Sequence, residues 1–518
     1  MFAYSVENDT LTQDAVFWSQ DALSAVAPGT LTPFSFSVLA EIARRSWYNY
    51  YDRLGFEPYP RRRLLRQYNG RAYLNLSLSA QLEAERAGVE PLLFWLNGQP
   101  TPLVVKQKSG LLASFKTGRN QKRIAHQLHE FATELAQIEQ RARAWYVKTQ
   151  ELRWTQAEIL QVMEEIERVG ADSLMVFLAA RHNLLLLYNR AYQLVRADSD
   201  DMSAWVQVSA LLGQADSLHE LDMARQIAEM GALLRSARAT EPALDDWFQA
   251  GQWTSWRQTL PDGALKSALT AFFEQHERRC ALEGELALPR WQEAPAPVMQ
   301  AVCACARRDA AAIEKTAALS GSPQNQLSAA VQKQLAQWRQ EAAALHTLQS
   351  RALNAFSYIQ AGTRTWALAA AKEAMSDGRL TDKEQVFSFE LEEIKQMMTG
   401  EWNISSLAEI HATAAERQTQ YQAWGGVTAA PLLVGDAAAT SARNPQPAAD
   451  GISVIDLDRT RTVAAAMFTT PCYIHLEQLG AGDAIWLPVV DGFIVDSEAT
   501  IDPVPIAARH YGCTIHYS

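Results

Sequence analysis

The chain has 518 residues, 48% of them apolar, 20% charged, with 15 Trp. That composition supports a sizeable core and argues against a disordered chain, which lacks the apolar surface to offset the entropy of ordering. A net charge of −11 and a pI near 5.5 disfavour a general nucleic-acid binder, because neutralising phosphates takes clustered excess Lys and Arg.

The length allows two to four domains. The start, MFAYSVENDTLTQ, lacks a basic region followed by an apolar one, so no secretory signal is expected. No run of about 18 apolar residues appears, and LLLLYNRAYQLV is too short and too interrupted, so no membrane span is expected. Cys280, Cys303, Cys305, Cys472 and Cys513 form no CxxC pair. An odd, scattered set fits reduced thiols in a cytoplasm.

Residues 1–110 read as mixed. FWSQDALSAVAPGTLTPFSFSVLAEIARRSWYNYYDRLG opens as a Pro/Gly loop and turns into an amphipathic helix. RQYNGRAYLNLS reads as a short hairpin turning at Asn69-Gly70. The aromatic run 47–59 is expected in the core, with a pocket wall as the alternative. The basic stretch 106–123 reads as a solvated, mobile loop that could otherwise touch an acidic partner or a phosphate.

Residues 115–415 carry the apolar spacing of helices. Thr155 and Glu158 form a capping box ahead of one long helix. Further helices are expected at 217–235, 265–280, 296–320, 325–376 and 389–398. His126 and His129, with Glu130 nearby, are spaced i, i+3 on a helix and could share one face, but no third and fourth metal ligand is indicated, so a solvated face is expected. Cys303 and Cys305 read as packing residues.

After residue 415 the composition turns Ala/Gly/Pro-rich. GISVIDLD, PCYIHLE, AIWLPVV and GFIVDSE then read as short strands, DPVPIAARHYG as a helix start with Pro in its first turn, and CTIHYS as a last strand. The fold class expected is α+β and mostly helical. A large helical body with a small β-containing N-terminal part occupies 1–415, and a small α/β domain occupies 420–518.

GFIVDSEATIDPVPIAARHYGCTIHY resembles the swivelling phosphohistidine domain of phosphoenolpyruvate synthase, pyruvate phosphate dikinase and rifampicin phosphotransferase, where the pattern is roughly G-V-V-T-E-x-G-G-x-x-S-H-x-A-I-V-A-R-E-x-G-I-P. Gly492, Ile506, Ala508, Arg509 and Gly512 match it. Asp502 falls on the Ser position and Pro503 on the phosphorylated His; Glu498-Ala499 replaces the Gly pair. Upstream segments are similar to family elements in the same order: APGTLTPFSFSVL, YNGRAYLNLS, SALLGQADSLHELDMARQIAEMG, LALPRWQEAP, GRLTDKEQVFSFELEEI and GGVTAAPL.

The resemblance implies a relay. A His takes a phosphoryl group from a nucleotide, swings, and passes it to an acceptor, which requires a nucleophilic imidazole. Pro503 has none, and an aspartyl phosphate at Asp502 lacks a metal site. His510 lies about two helical turns beyond and is expected to be a packing or solvent-facing residue. The family's ATP-grasp domain has no counterpart, nor does a Gly-rich phosphate loop with Lys. In the family's H-R-G-x-x-E element, Arg279 and Glu283 fall on the Arg and Glu, with Arg278 for the His and Cys280 for the Gly. Arg279, Glu283 and Arg71 are therefore the candidate substrate- or anion-binding residues, with a charged helix end as the plain alternative for the first two. Arg351 or Arg364 could supply the Arg of a further family pair.

These readings imply a repurposed or non-phosphorylating small-molecule-binding or accessory protein with no cofactor, no metal, and neither nucleic acid nor membrane as partner. The alternative is the acceptor-binding subunit of a split ATP-dependent phosphotransferase with a separate ATP-grasp partner protein.

Overall fold

The computed structural model describes residues 16–55, 64–79, 93–96, 99–102, 111–196, 201–238, 242–308, 329–402, 406–427, 430, 432–435, 437–438, 453–457, 461–462, 467–468, 471–495 and 501–517. It is mostly helical, with a small antiparallel sheet from N-terminal strands and a parallel sheet near the C-terminus. The principal helices are α1 (Pro33–Arg53), α2 (Leu111–Glu151), α3 (Gln156–Val195), α4 (Asp201–Leu212), α5 (His219–Arg238), α6 (Pro242–Ala250), α7 (Ala264–His276), α8 (Ala296–Arg307), α9 (Ala329–Ser376), α10 (Leu391–Thr399), α11 (Leu407–Gly425) and α12 (Pro503–Tyr511). The strands are β1 (Phe17–Ser19), β2 (Leu65–Tyr68), β3 (Arg71–Asn75), β4 (Leu93–Leu96), β5 (Gln99–Pro102), β6 (Leu432–Val434), β7 (Ala437–Ala438), β8 (Ser453–Asp456), β9 (Cys472–Leu476), β10 (Gly492–Val495) and β11 (Thr514–Tyr517).

The chain forms two compact units. Unit one comprises Met1–Leu23, Thr30–Trp205 and Thr365–Ala442; unit two comprises Ser24–Gly29, Val206–Arg364 and Arg443–Ser518.

Unit one contains the antiparallel sheet, ordered β2-β3-β1-β6-β7. Asn69 (φ 46°) and Gly70 (φ 75°) make the tight turn joining β2 to β3; only small or amide residues adopt two left-handed positions in succession cheaply. Strand β1, three residues long, pairs with β3 and with β6. Helix α1 starts where Thr32 accepts the Ser35 N–H and Pro33 occupies the first turn. It buries Trp47, Tyr50 and Tyr51 in the core, while Tyr48 of the same run is exposed. Helix α3 opens with the expected Thr155–Glu158 capping box. Among the described residues α3 alone is long and apolar enough to cross a membrane, but 83% of its apolar window is buried inside the fold. The stretch 111–123, expected in a loop, is instead the first part of α2; 106–110 lie outside the described residues. His126 faces Glu130 at 3.3 Å on an exposed helical face.

Unit two contains helices α5 to α8, the part of α9 up to Arg364, and a parallel sheet ordered β11-β10-β9-β8. Helix α12 connects β10 to β11, as a parallel pair requires. A single apolar core joins the helices to the C-terminal layer: Met223, Ala224 and Ile227 of α5 and Val298 and Val302 of α8 belong to the same cluster as Ile474, Trp486, Phe493, Ile506 and Ala507. That shared core is why 443–518 do not separate from 206–364. AIWLPVV, expected as a strand, is a 3-10 turn at Ala481–Trp486 running into further turns. Asp483 fixes it by accepting the Gly480 N–H at 2.8 Å and pairing with Arg461. Residue 480 must be glycine for a packing reason: a Cβ there would sit 1.8 Å from the Ala281 carbonyl oxygen.

Candidate functional site

The described chain brings a polar cluster together where α7 ends. After His276 the backbone folds back on itself: Arg279 N–H donates to the His276 carbonyl at 2.8 Å, and Trp291 N–H donates to the Arg279 carbonyl at 2.8 Å. This loop turns Arg278 and Arg279 inward. Both are buried, Arg279 with 0% exposure.

Helix α9 supplies the surface they meet. Ser350, Asn354 and Ser357 stand at i, i+4 and i+7 and so share one face. Arg279 donates to Glu283 Oε1 at 2.8 Å and to Asn354 Oδ1 at 2.9 Å. Asn354 Oδ1 also accepts from Arg278, whose Nε donates to Ser357 Oγ at 3.0 Å. The Arg278 guanidinium lies 3.6 Å from the centre of the Tyr358 ring, a cation–π contact. One turn back along α9, Ser350 donates to Glu220 Oε2 at 2.6 Å and accepts the His219 N–H at 3.0 Å, which ties down the start of α5.

Burial sets the ionisation of this cluster. It lowers His219 to about 3, helped by Arg279, Arg278 and Arg351. It holds His276 well below the usual imidazole range, again with Arg279 and Arg278 adding to it. Both rings are neutral at pH 7. Burial raises Glu220, with Arg279 acting against the rise. Arg279 Nε, Glu220 Oε1 and both ring nitrogens of His276 are buried without a hydrogen-bond partner in the chain.

The expected Arg279 and Glu283 thus form a buried ion pair rather than an exposed charged helix end. Arg71 stands elsewhere, in β3 of unit one, where it donates to Thr30 Oγ1 at 3.1 Å and to the Val427 carbonyl at 2.9 Å. Arg364 has a visible structural duty: it forks onto Glu293 and holds the Leu286 and Ala287 carbonyls. Arg290 braces the loop through Cys280 Sγ and the Glu283 carbonyl. His219, Glu220, His276, Ser350 and Asn354 were not expected here. The recoverable signal was the polar i, i+4, i+7 series Ser350, Asn354 and Ser357 within SRALNAFS.

At the other position of interest, Asp502 and Pro503 are the N-cap and first residue of α12, and both are buried. The Asp502 carboxylate accepts a hydrogen bond from the Ser24 hydroxyl. His510 lies near the far end of α12, exposed, its pKa lowered by partial burial and by Arg225. Among the described residues, no group of three or more His, Cys, Asp and Glu side chains could hold a metal ion.

Residues 172–358 match the family model for the rifampicin phosphotransferase fourth domain. That span includes every residue of the polar cluster from His219 to Tyr358. No curated protein matches the chain.

Proposed function

We propose that the chain is a repurposed, non-phosphorylating relative of the phosphoenolpyruvate synthase and rifampicin phosphotransferase family, in which the helical part still binds a small anionic molecule around Arg279 and Glu283. The observation that carries this reading is the state of the relay position. Pro503 offers no nucleophilic atom, and it is buried, beside an Asp502 tied to Ser24. A phosphorylated side chain must instead reach solvent or a donor. The match of 172–358 to a domain of that family supports the descent but not the loss.

In this reading residues 420–518 descend from the swivelling domain, and the part from 443 on, within unit two, now acts as a fixed cap. The core they share with α5 and α8 supports this, as does the close approach of Gly480 to Ala281. Swinging the layer away would expose that apolar surface to water. The buried, unbridged cysteines fit a cytoplasmic chain.

The test is phosphoryl transfer itself. Purified chain is incubated with ATP, Mg²⁺ and candidate ATP-grasp proteins, and intact mass is read. The expected spectrum is unshifted. A stable phosphoryl increment on this chain would overturn the reading and favour the acceptor subunit of a split phosphotransferase.

A further inference from the structure

The polar cluster holds more than an ion pair. Arg279 spends its two terminal nitrogens on Glu283 and Asn354, yet its Nε is buried and unpartnered. Glu220 uses Oε2 on Ser350 and leaves Oε1 unpartnered at 0% exposure. His276, 4% exposed, has neither ring nitrogen engaged. Buried polar groups in folded proteins are nearly always paired, and unpaired ones mark a site for water, ion or ligand. Glu220 and Arg279 are both held on one face of α9, and His276 lies near enough to Arg279 and His219 to feel their charge. Ser350 and Asn354, one turn apart, anchor Glu220 and Arg279 respectively.

We infer that the Nε edge of Arg279, the His276 ring and Glu220 Oε1 form the contact wall of a binding site for a small hydroxycarboxylate. The donor and acceptor inventory selects that class. Arg279 Nε–H donates only, a neutral imidazole gives one donor and one acceptor, and the second oxygen of Glu220 accepts. A carboxylate takes the Arg279 N–H and the imidazole N–H. A neighbouring hydroxyl donates to Glu220 Oε1. A simple oxyanion without hydrogens, such as sulfate, offers only acceptors and would set an oxygen against Glu220. A doubly charged ligand would also face the Glu283 carboxylate. His219, Asn354, Tyr358 and Arg351, each half-buried, form the side of the cluster nearest solvent. This site rests on the anion-binding part of the proposed function and is independent of whether phosphoryl transfer was lost.

Lactate, propionate and sulfate serve as probes in calorimetric titrations of the full chain. Lactate binds saturably with a dissociation constant of about 1 mM or tighter, and propionate, lacking the hydroxyl, binds about tenfold more weakly. His276→Phe keeps an aromatic ring beside Phe272, 4.8 Å from the present imidazole. It weakens lactate about tenfold with the circular-dichroism spectrum preserved. Glu220→Met abolishes the advantage of lactate over propionate. No lactate binding up to about 10 mM, equal binding of sulfate, or full lactate affinity in a folded His276→Phe variant would each overturn the site. A phosphoryl mass increment would overturn the non-phosphorylating function while leaving the lactate result standing, so the two failures are separable.

Discussion

Lowering the pH should unfold unit two through its buried histidines. His219 and His346 are each lowered to about 3, and His276 lies well below the usual range. Burial is the main cause in each; Arg278 and Arg279 add to it at His219 and His276, Arg351 at His219, and Arg509 at His346. In the unfolded chain a histidine titrates near 6.5. A group whose folded pKa is depressed below its unfolded value, when the charged form is the protonated one, gains a proton on unfolding. Acid therefore favours the unfolded chain. The stability is fully present above about pH 6.5 and falls steadily towards about pH 3. Between about pH 7 and 5.5 His219 and His346 each contribute roughly 1 kcal/mol to the loss, and His276 acts in the same direction, a noticeable part of a typical folding free energy. Glu220 and Asp483, both raised by burial, act in the opposite sense as pH approaches the carboxylate range. Urea unfolding at a series of pH values measures the slope, and His346→Gln isolates one contributor. The variant should lose roughly 1 kcal/mol per pH unit from the slope between about pH 6 and 5. An unchanged slope in a folded variant, or stability flat from pH 7 to 5, would refute the account.

Arg279→Gln leaves Glu283 buried without its partner and should cost about 3–5 kcal/mol, whereas pairing it with Glu283→Gln should recover much of the loss; a double-mutant cycle by urea denaturation checks both. Gly480→Ala drives a methyl group into the Ala281 carbonyl and should destabilise by about 1–3 kcal/mol or more, read as a lower thermal midpoint. All five cysteines are buried, and burial raises Cys303 to about 12 and Cys305 to about 11. The native chain should therefore resist a thiol reagent at pH 8 and take up five equivalents in denaturant; rapid native labelling would contradict this burial.

What the sequence disclosed follows the range of the forces involved. The Asn69-Gly70 turn, the Thr155–Glu158 cap, the long α9 and the start of α12 at Pro503 depend on neighbours within a few residues. Strand β1 escaped notice because three residues carry no period; it exists through partners in β3 and, far along the chain, β6. AIWLPVV has the apolar run of a strand, but Asp483 bonding to Gly480 and Arg461 makes it a turn. Arg279 and Glu283 were singled out only through the resemblance to a family element, counted back from Pro289-Arg290-Trp291. Glu220 and His276 were not, because what brings them near Arg279 is the packing of α5 against α7.

Asn354 has a consequence beyond holding the loop. Its one amide oxygen receives both Arg278 and Arg279. The two cations are therefore yoked: neither guanidinium can turn toward a new partner without changing what the shared acceptor offers the other. Any remodelling of this site, by evolution or by design, has to treat positions 278, 279 and 354 as one mechanical element.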